Sequence, residues 1–362
     1  MIEAFYTDEF VLPLPAGHRF PMEKYRILRD KVALSNREIR LSVPPAATVG
    51  QLALAHCPAY VQRIETGEVS ANEQRDIGFP WSTAMVERSL RSVGATVAAV
   101  RSALQHGASV NLAGGTHHAK RDHGGGFCVF NDLAVAARVY QTDWIAKAGR
   151  FSPKVLVVDL DVHQGDGTAE ILANDPSVFT FSMHGARNYP FTKSISDLDI
   201  ALPDGIDDDA YIEQLEIALA QIDKQFSPDL VLYVAGLDVH QADRLGKLAL
   251  TDSGIERRDR IVLDWAASRE LPVVTVMAGG YFPDLEHLTT LRRAFHTLKG
   301  SSRMVGLTEF GDAAWAMEQM LNAALAEQSA AAADSLRQQA QRLMGLVATF
   351  RTHNPPLALG RD

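Results

Sequence analysis

The amino-acid sequence predicts an α/β fold with a doubly wound, mostly parallel sheet, followed by a C-terminal helical bundle segment. Amphipathic helical patterns at 82–106, 131–147, 208–225 and 253–268 separate short apolar runs with the composition of strands buried on both faces. Those runs are residues 109–113, 154–160, 178–182, 229–235 and 272–277. Strands that alternate with helices are typical of a parallel sheet covered by helices on both faces.

The composition changes near residue 283. Beyond it the strand patterns stop, alanine becomes frequent, and 284–304, 307–327 and 331–351 show the apolar spacing of amphipathic helices. The sequence therefore predicts a catalytic domain over 1–283 and a helical segment over 284–362.

The overall charge and the cysteine content exclude several classes of protein. The net charge is −9 and no long basic block occurs, so we expect no nucleic-acid partner. Two cysteines, Cys57 and Cys128, cannot form a disulfide framework, which favours a reducing compartment. No signal peptide is apparent and no apolar run reaches transmembrane length. We expect a cytoplasmic protein with no membrane partner.

A polar cluster follows each apolar run: GGTHH, DLDVHQGDG, SMHG, GLDVHQAD and AGGY, in chain order. In an open parallel sheet the functional site lies beyond the carboxyl ends of the strands. Taken singly, each cluster is typical of a turn or a helix cap. Their coincidence at one sheet edge predicts a functional site there.

Three of these polar residues predict a metal site. Asp161 and His163 are two residues apart after one strand, and Asp238 follows another. A hydrolytic zinc needs about three protein ligands and an open position for water. Two aspartates and a histidine suit Zn²⁺, with Fe²⁺ or Co²⁺ as alternatives.

Two adjacent histidines, His117 and His118, stand on a glycine-rich turn where both can border a cavity. Each needs a carboxylate partner to determine its tautomer. Asp159 and Asp166, on either side of the predicted ligand pair, are positioned to be these partners. Tyr281, after two glycines, offers a phenol that can hydrogen-bond a developing oxyanion.

These motifs resemble the histone deacetylase family over about residues 1–283. The resemblance lies in GGTHHAKRDHGGGFCVFND (114–132), VVDLDVHQGDGTAEIL (157–172), AGLDVHQADRLGKLALT (235–251) and AGGY (278–281). MHGARNYP (183–190) and DRLG (243–246) look most similar to the class IV branch and its bacterial relatives. The resemblance implies an arginase/deacetylase-like fold and zinc-dependent hydrolysis of an acylated lysine or a small acyl-amine.

Residue roles are also implied by the resemblance. Asp161, His163 and Asp238 would bind zinc, and His118, oriented by Asp166, would be the general base and acid. His117 would pair with Asp159 and act electrostatically, while Tyr281 would polarise the acyl carbonyl. Gly126, Phe127 and His184 would line the substrate channel, and Arg19 an inner cavity.

Two further implications concern ions and acyl preference. Asp159, Asp161, His163 and Ser182 match a potassium site near the zinc. Family members often carry three glycines before the tyrosine, whereas here Ala278 replaces the first. A methyl at that position is expected to narrow the acyl pocket, against a class IV-like tolerance for long acyl chains.

The C-terminal segment resembles a histidine phosphotransfer (HPt) domain in RRAFHTLKGSSRMVGL (292–307) and FGDAAWAMEQMLN (310–322). This resemblance implies that His296 accepts a phosphoryl group, that Lys299 helps to hold it, and that a response-regulator receiver domain is a partner. A complete HPt domain has four helices, but the sequence shows three helical patterns. The fourth helix could come from the deacetylase part or from a second subunit, or the segment could be a non-functional fusion remnant.

Other functions remain as alternatives. A binuclear manganese ureohydrolase of the arginase type needs a further aspartate two residues after the ligand histidine, where this chain has Gly165. An acetylpolyamine amidohydrolase, or a phosphotransfer signalling module with a sensor-like deacetylase domain, also fits parts of the sequence. The intact set of predicted ligands and catalytic residues favours an enzyme.

Overall fold

A computed structural model describes residues 2–15, 17–34, 39–148 and 152–281. Eight strands in this part of the chain form one sheet in the order β2-β1-β3-β8-β7-β4-β5-β6, and every neighbouring pair is parallel. The strands are β1 (Ile2–Phe5), β2 (Ile39–Ser42), β3 (Ala108–Asn111), β4 (Val155–Asp159), β5 (Val178–Gly185), β6 (Leu198–Leu202), β7 (Leu230–Val234) and β8 (Val273–Val276).

Helices connect most of the strands, as is usual between parallel neighbours, whereas β5 and β6 are joined by a segment without a helix. They are α1 (Glu23–Leu34), α2 (Val49–Leu52), α3 (Pro58–Thr66), α4 (Ala71–Ile77), α5 (Thr83–His106), α6 (Asp132–Ala148), α7 (Asp166–Leu172), α8 (Asp208–Gln225) and α9 (Asp252–Ala267). The longer helices begin where the sequence offers a cap. The side chains of Ser82, Asp207 and Thr251 each accept a hydrogen bond from a backbone amide of the first turn.

Each face of the sheet carries its own hydrophobic core. Alternation along β4 turns Leu156 and Val158 toward one core, which also holds the buried faces of α1, α8 and α9. Val155 and Val157 face the other core, packed against α5 and α6. The sheet is therefore buried on both faces, as the continuous apolar runs in the sequence predict.

The five predicted strands and four predicted helices are confirmed to within a few residues at their ends. Strands β1, β2 and β6 were not predicted. They are short, and β2 and β6 are edge strands in which exposed or half-exposed side chains interrupt the apolar pattern. The helices predicted after residue 283 lie outside the described residues.

Candidate active site

The loops that follow β3, β4, β7 and β8 meet at the carboxyl edge of the sheet. These strands are neighbours in the order β3-β8-β7-β4, so residues far apart in the sequence converge there. The loop after β3 brings His117 and His118, and the loop after β4 brings Asp161 and His163. Asp238 follows β7 and Tyr281 follows β8.

Asp161, His163 and Asp238 form one compact buried group. One ligand atom from each lies within 4.8 Å of the others. The Nδ1 atom of His163 is 3.0 Å from Oδ1 of Asp161 and 3.1 Å from Oδ2 of Asp238. Two carboxylates and one imidazole nitrogen are a donor set for a divalent metal ion.

Backbone amides orient the two carboxylates of this group. The amide of Gly279 donates to Oδ2 of Asp161 at 2.8 Å, and the amide of Val162 donates to Oδ1 of Asp238 at 3.0 Å. A Cβ atom at Gly279 would overlap the carboxylate of Asp238. Glycine is required at this position because the β8 loop passes directly against both acids.

The electrostatics of the group also fit a bound cation. Burial and the neighbouring charge of Asp161 raise the pKa of Asp238 to about 7. Burial lowers the pKa of His163, but hydrogen bonds to Asp161 and Asp238 outweigh this effect and raise the pKa to about 10. The single imidazole of this group does not neutralise two buried carboxylates. A divalent cation would supply the missing positive charge.

Two buried aspartate–histidine pairs lie beside this group. Nδ1 of His118 is 2.7 Å from Oδ1 of Asp166, and Nδ1 of His117 is 2.7 Å from Oδ2 of Asp159. The two imidazole rings are 4.2 Å apart between centroids. Because each carboxylate holds the Nδ1 proton, the Nε2 atom of His118 is left to accept another.

The pKa values of the two histidines are displaced in opposite directions. Burial and the positive charge of His117 lower the pKa of His118 to about 4. Burial also lowers the pKa of His117, but the charges of Asp159 and Asp161 outweigh it and raise the pKa to about 9. At neutral pH His118 is a neutral base and His117 a cation.

Tyr281 lies in the loop after β8, next to the side chain of Lys24. Its backbone amide donates to Oδ2 of Asp243 at 2.6 Å, and burial holds the pKa of its phenol well above the usual value. The phenol therefore stays a hydrogen-bond donor. Nζ of Lys24 donates to the carbonyls of Ala278 and Gly280 at 3.2 and 3.5 Å and lies 5.4 Å from the Tyr281 ring centroid.

The sequence prediction for Arg19 was wrong in position. Arg19 is exposed and lines the outer cavity, whereas Lys24, on the first turn of α1, reaches the inner loop. A lysine inside EKYRIL carries no local sign of this contact, which depends on how α1 lies relative to the loop after β8.

An outer cavity of about 1110 Å³ leads from the surface to the site. Gly126 and Phe127 line it, and so does Tyr189, whose ring lies beside Gly126 and 4.9 Å from the His118 ring. Phe127 has a φ of +67°, a strained conformation for an aromatic residue, which turns its ring into the channel.

His184 does not line this cavity, contrary to the prediction from the sequence. It is still within β5, fully buried, and its Nδ1 atom is 3.0 Å from Oγ of Ser182. Tyr189 lines the cavity instead of His184, since it stands in the loop four residues beyond the end of β5. The signal in the sequence was an aromatic residue in NYP, just beyond the buried run.

A smaller inner cavity of about 40 Å³ lies beyond the metal-ligand group. Tyr281, Ala278 and His163 are among its wall residues. Ala278 adopts a φ of +53°, and a Cβ atom at Gly115 would overlap its methyl group. The alanine methyl therefore occupies space at the inner cavity.

Arg258 supports the ligand loops from behind, a role that sequence reasoning missed. Its side chain is completely buried in α9, and Nη1 donates to the carbonyls of Leu160 and Gly236 at 3.3 and 2.6 Å. Leu160 precedes Asp161, and Gly236 lies two residues before Asp238. One guanidinium therefore joins the β4 and β7 loops.

A parallel α/β sheet with a buried Asp–His–Asp group and two Asp–His pairs at its carboxyl edge has the form of a hydrolytic enzyme. The chain belongs to the histone deacetylase family, since the family model of the histone deacetylase domain matches residues 18–298. It is therefore a hydrolase of the deacetylase type. A second family model, the Hpt domain, matches residues 263–346.

Similar proteins support this membership. An uncharacterized protein of Picosynechococcus sp. (strain PCC 7002) is 44% identical over 296 residues, which cover 80% of this chain and 96% of that protein. Histone deacetylase 2 of Arabidopsis thaliana is 33% identical over 194 residues, or 53% of this chain and 49% of the relative.

Among solved structures, the crystal structure of an HDAC homolog complexed with SAHA matches with a TM-score of 0.70 and 23% identity, covering 89% of this chain and 88% of the other. An HDAC homolog from Aquifex aeolicus matches with a TM-score of 0.68, 23% identity and the same coverage. These two structures confirm the fold. Within the described residues, no helix has the length and apolar character needed to cross a membrane.

Proposed function

We propose that the protein is a zinc-dependent deacylase that hydrolyses the N-acyl amide of an acylated lysine. The observation that carries this proposal is the meeting of the Asp161–His163–Asp238 group, the His118–Asp166 pair and Tyr281 at the inner end of one cavity. When bound to the three ligands, zinc would polarise the acyl carbonyl and lower the pKa of a water molecule to about 7.

The side chains of this site would divide the reaction between them. Neutral His118 accepts the proton of the attacking water at Nε2 while Asp166 keeps Nδ1 protonated. The phenol of Tyr281 donates a hydrogen bond to the oxygen of the tetrahedral intermediate. His118 then returns the proton to the leaving nitrogen, and the products are a free amine and a carboxylate.

The charge of the outer cavity favours a lysine side chain on a peptide over a free polyamine. Its walls include four exposed cations, Arg19, Arg75, Arg187 (paired with Asp204) and Lys247, and one exposed acid, Asp76, so positive charge predominates at the entrance although the whole chain is acidic. A polycation such as an acetylated polyamine would be repelled there. An acyl-lysine flanked by acidic residues would be attracted.

The inner cavity favours a short acyl group. Its volume of about 40 Å³, reduced by the methyl group of Ala278, suits an acetyl group better than a long chain. We expect a higher kcat/KM for acetyl-lysine than for myristoyl-lysine peptides. Ala278→Gly should widen acyl acceptance, and equal rates on both wild-type substrates would contradict the size argument.

The decisive experiment for the proposed function is a substrate panel assayed together with metal analysis. The zinc-loaded protein should release acetate from acetyl-lysine peptides, with acidic flanks preferred over basic ones and over acetylated polyamines. We expect one zinc per chain, lost in Asp161→Ala. Two bound manganese ions in the active form would instead favour a ureohydrolase of the arginase type.

Potassium is proposed as a further ion on the strength of the family resemblance. Asp159 and Ser182 are neighbours in register across β4 and β5, directly behind the metal-ligand group. Activity in potassium against tetramethylammonium salts at equal ionic strength tests this. Identical rates in both salts would remove potassium from the site.

We further propose phosphotransfer through His296, with Lys299 beside it, because the Hpt family model matches residues 263–346. Both residues lie outside the described part of the chain. The match begins within α9 and includes β8, which belong to the sheet, so an HPt bundle would have to be built from later residues. Acid-labile phosphate on the wild type from a phosphorylated receiver domain, absent in His296→Gln, is expected. No label from any receiver would refute it.

A further inference from the structure

A second inner cavity of about 40 Å³ adjoins the first one. The two cavities have Phe20, Tyr25, Gly114, Thr116 and Phe127 in common as wall residues. The first contains two of the predicted metal ligands, Asp161 and His163, in its walls, whereas the walls of the second include residues of α5 and none of these ligands. A group that enters beyond the reacting carbonyl would reach the second cavity.

Arg88 is the charged residue in the wall of this second cavity. It is 8% exposed, and its guanidinium lies 4.4 Å from the centroid of the Tyr25 ring. Its Nη1 atom is buried and makes no hydrogen bond, and within the described residues Arg88 has no ion-pair partner. A buried guanidinium without a counter-charge is costly, which points to a ligand that completes it.

Asp132, which lies beside the wall residue Gly114, is not available as a counter-charge for Arg88. A Cβ atom at Gly114 would lie 2.6 Å from Oδ2 of Asp132. The two oxygens of Asp132 instead accept hydrogen bonds from Thr96, the amide of Gly115, and the amide and hydroxyl of Thr116. Asp132 therefore stabilises the turn that carries the active-site histidines.

A second cation increases the positive potential at the same place. Nζ of Lys24 lies 5.2 Å from the centroid of the Tyr25 ring, the ring that also contacts Arg88. The wall further includes Ser92, whose hydroxyl group is able to donate a hydrogen bond, and Ser89, whose hydroxyl already donates to the carbonyl of Met85 at 2.7 Å. A guanidinium, one hydroxyl and a nearby ammonium form a donor set for a carboxylate.

We infer that the acyl group which this enzyme removes most efficiently is short and ends in a carboxylate, as in succinyl- or glutaryl-lysine, and that Arg88 binds that carboxylate in the second cavity. The inference rests on the proposed deacylase function and specifies its substrate class. Water adds across the amide: the C–N bond breaks, the acyl carbon gains oxygen, and the nitrogen leaves protonated. The products are a lysine ammonium and a dicarboxylate.

The test compares two peptides that differ only in charge, succinyl-lysine and its neutral amide, succinamyl-lysine. For the wild type, kcat/KM should favour succinyl-lysine by about 10- to 100-fold, the range that a charge-assisted hydrogen bond to a buried partner supplies. Arg88→Met should abolish or reverse this ratio, and Arg88→Lys should restore part of it. Arg101→Met, an exposed arginine of the same helix, should leave the ratio unchanged.

Calorimetric titration of free succinate and succinamate tests the cavity without turnover. Succinate should bind the wild type more tightly by a similar factor, and Arg88→Met should lose this preference while retaining the wild-type circular dichroism spectrum. Hydrolysis of acetyl-lysine with no succinyl preference overturns the inference but leaves the proposed function intact. Absence of hydrolysis on every acyl-lysine overturns the proposed function and the inference with it, even if the titration shows that Arg88 binds succinate.

A third outcome would show that the second cavity binds the released product and not the acyl group of the substrate. Acetate and butyrate would inhibit the wild type, and Arg88→Met would relieve this inhibition, with no preference between the two succinyl peptides. The cavity would then bind the departing monocarboxylate, and the inference of an acid-terminated acyl group would be wrong.

Discussion

Replacing Arg258 should weaken both the fold and the metal site. Its guanidinium contacts Oδ1 of Asp259 at 2.7 and 2.8 Å and joins the carbonyls of Leu160 and Gly236. Arg258→Met leaves Asp259, 3% exposed, without its counter-charge. Loss of one partner of a buried ion pair costs about 3–5 kcal/mol, a large part of the typical free energy of unfolding of about 5–15 kcal/mol.

Urea denaturation measures this loss, and zinc competition with a chelator measures the effect on the ligand loops. We expect metal affinity to fall by about tenfold, the lower end of the effect of losing a group that supports metal ligands. Arg257→Met is the matched control, since Arg257 is exposed and its ion pair with Asp209 is worth about 1 kcal/mol or less.

The double variant Arg258→Met/Asp259→Asn should recover part of the lost stability. It removes the unpaired charge while the amide oxygen can still accept a hydrogen bond from the Tyr233 hydroxyl. If Arg258→Met were as stable as Arg257→Met and bound zinc equally well, Arg258 would not support the metal-ligand loops as stated.

Tyr281→Phe should retain the metal but lose about 100-fold or more in kcat, the scale of losing one oxyanion donor; near-wild-type turnover would remove this role. His118→Ala should reduce kcat more than His117→Ala, and the reverse order would exchange their assignments. Because a pKa of about 4 leaves His118 neutral above that pH, kcat should stay level from pH 7 down to about 5 and fall only near 4. Lys24→Met should lower kcat with unchanged zinc content, since Lys24 hydrogen-bonds the carbonyls on either side of Gly279. Loss of zinc from this variant would instead show that Lys24 also supports the metal ligands through the loop.

The ligand and catalytic candidates were accessible from the sequence because a parallel sheet follows a simple rule. Buried strands appear as continuous apolar runs, and their carboxyl ends lie on one edge. Asp161, His163 and Asp238 could therefore be grouped before any coordinates, although 75 residues separate the last two. The tautomer partners Asp159 and Asp166 followed from the same reasoning, since both lie close to the ligand pair in the chain.

The sequence by itself determined five of the eight strands that the structure describes, the four long helices between and around them, and the chemistry at the strand ends, because these depend on local periodicity and short-range spacing. Only the tertiary structure decided which side chains complete the site from elsewhere. Lys24, Arg88 and Arg258 stand on helices with no local mark of their contacts. Tyr189 replaced His184 because the exact end of β5 determines which side chain faces the channel. These positions depend on how helices pack across the sheet, a property of distant contacts that no local pattern records.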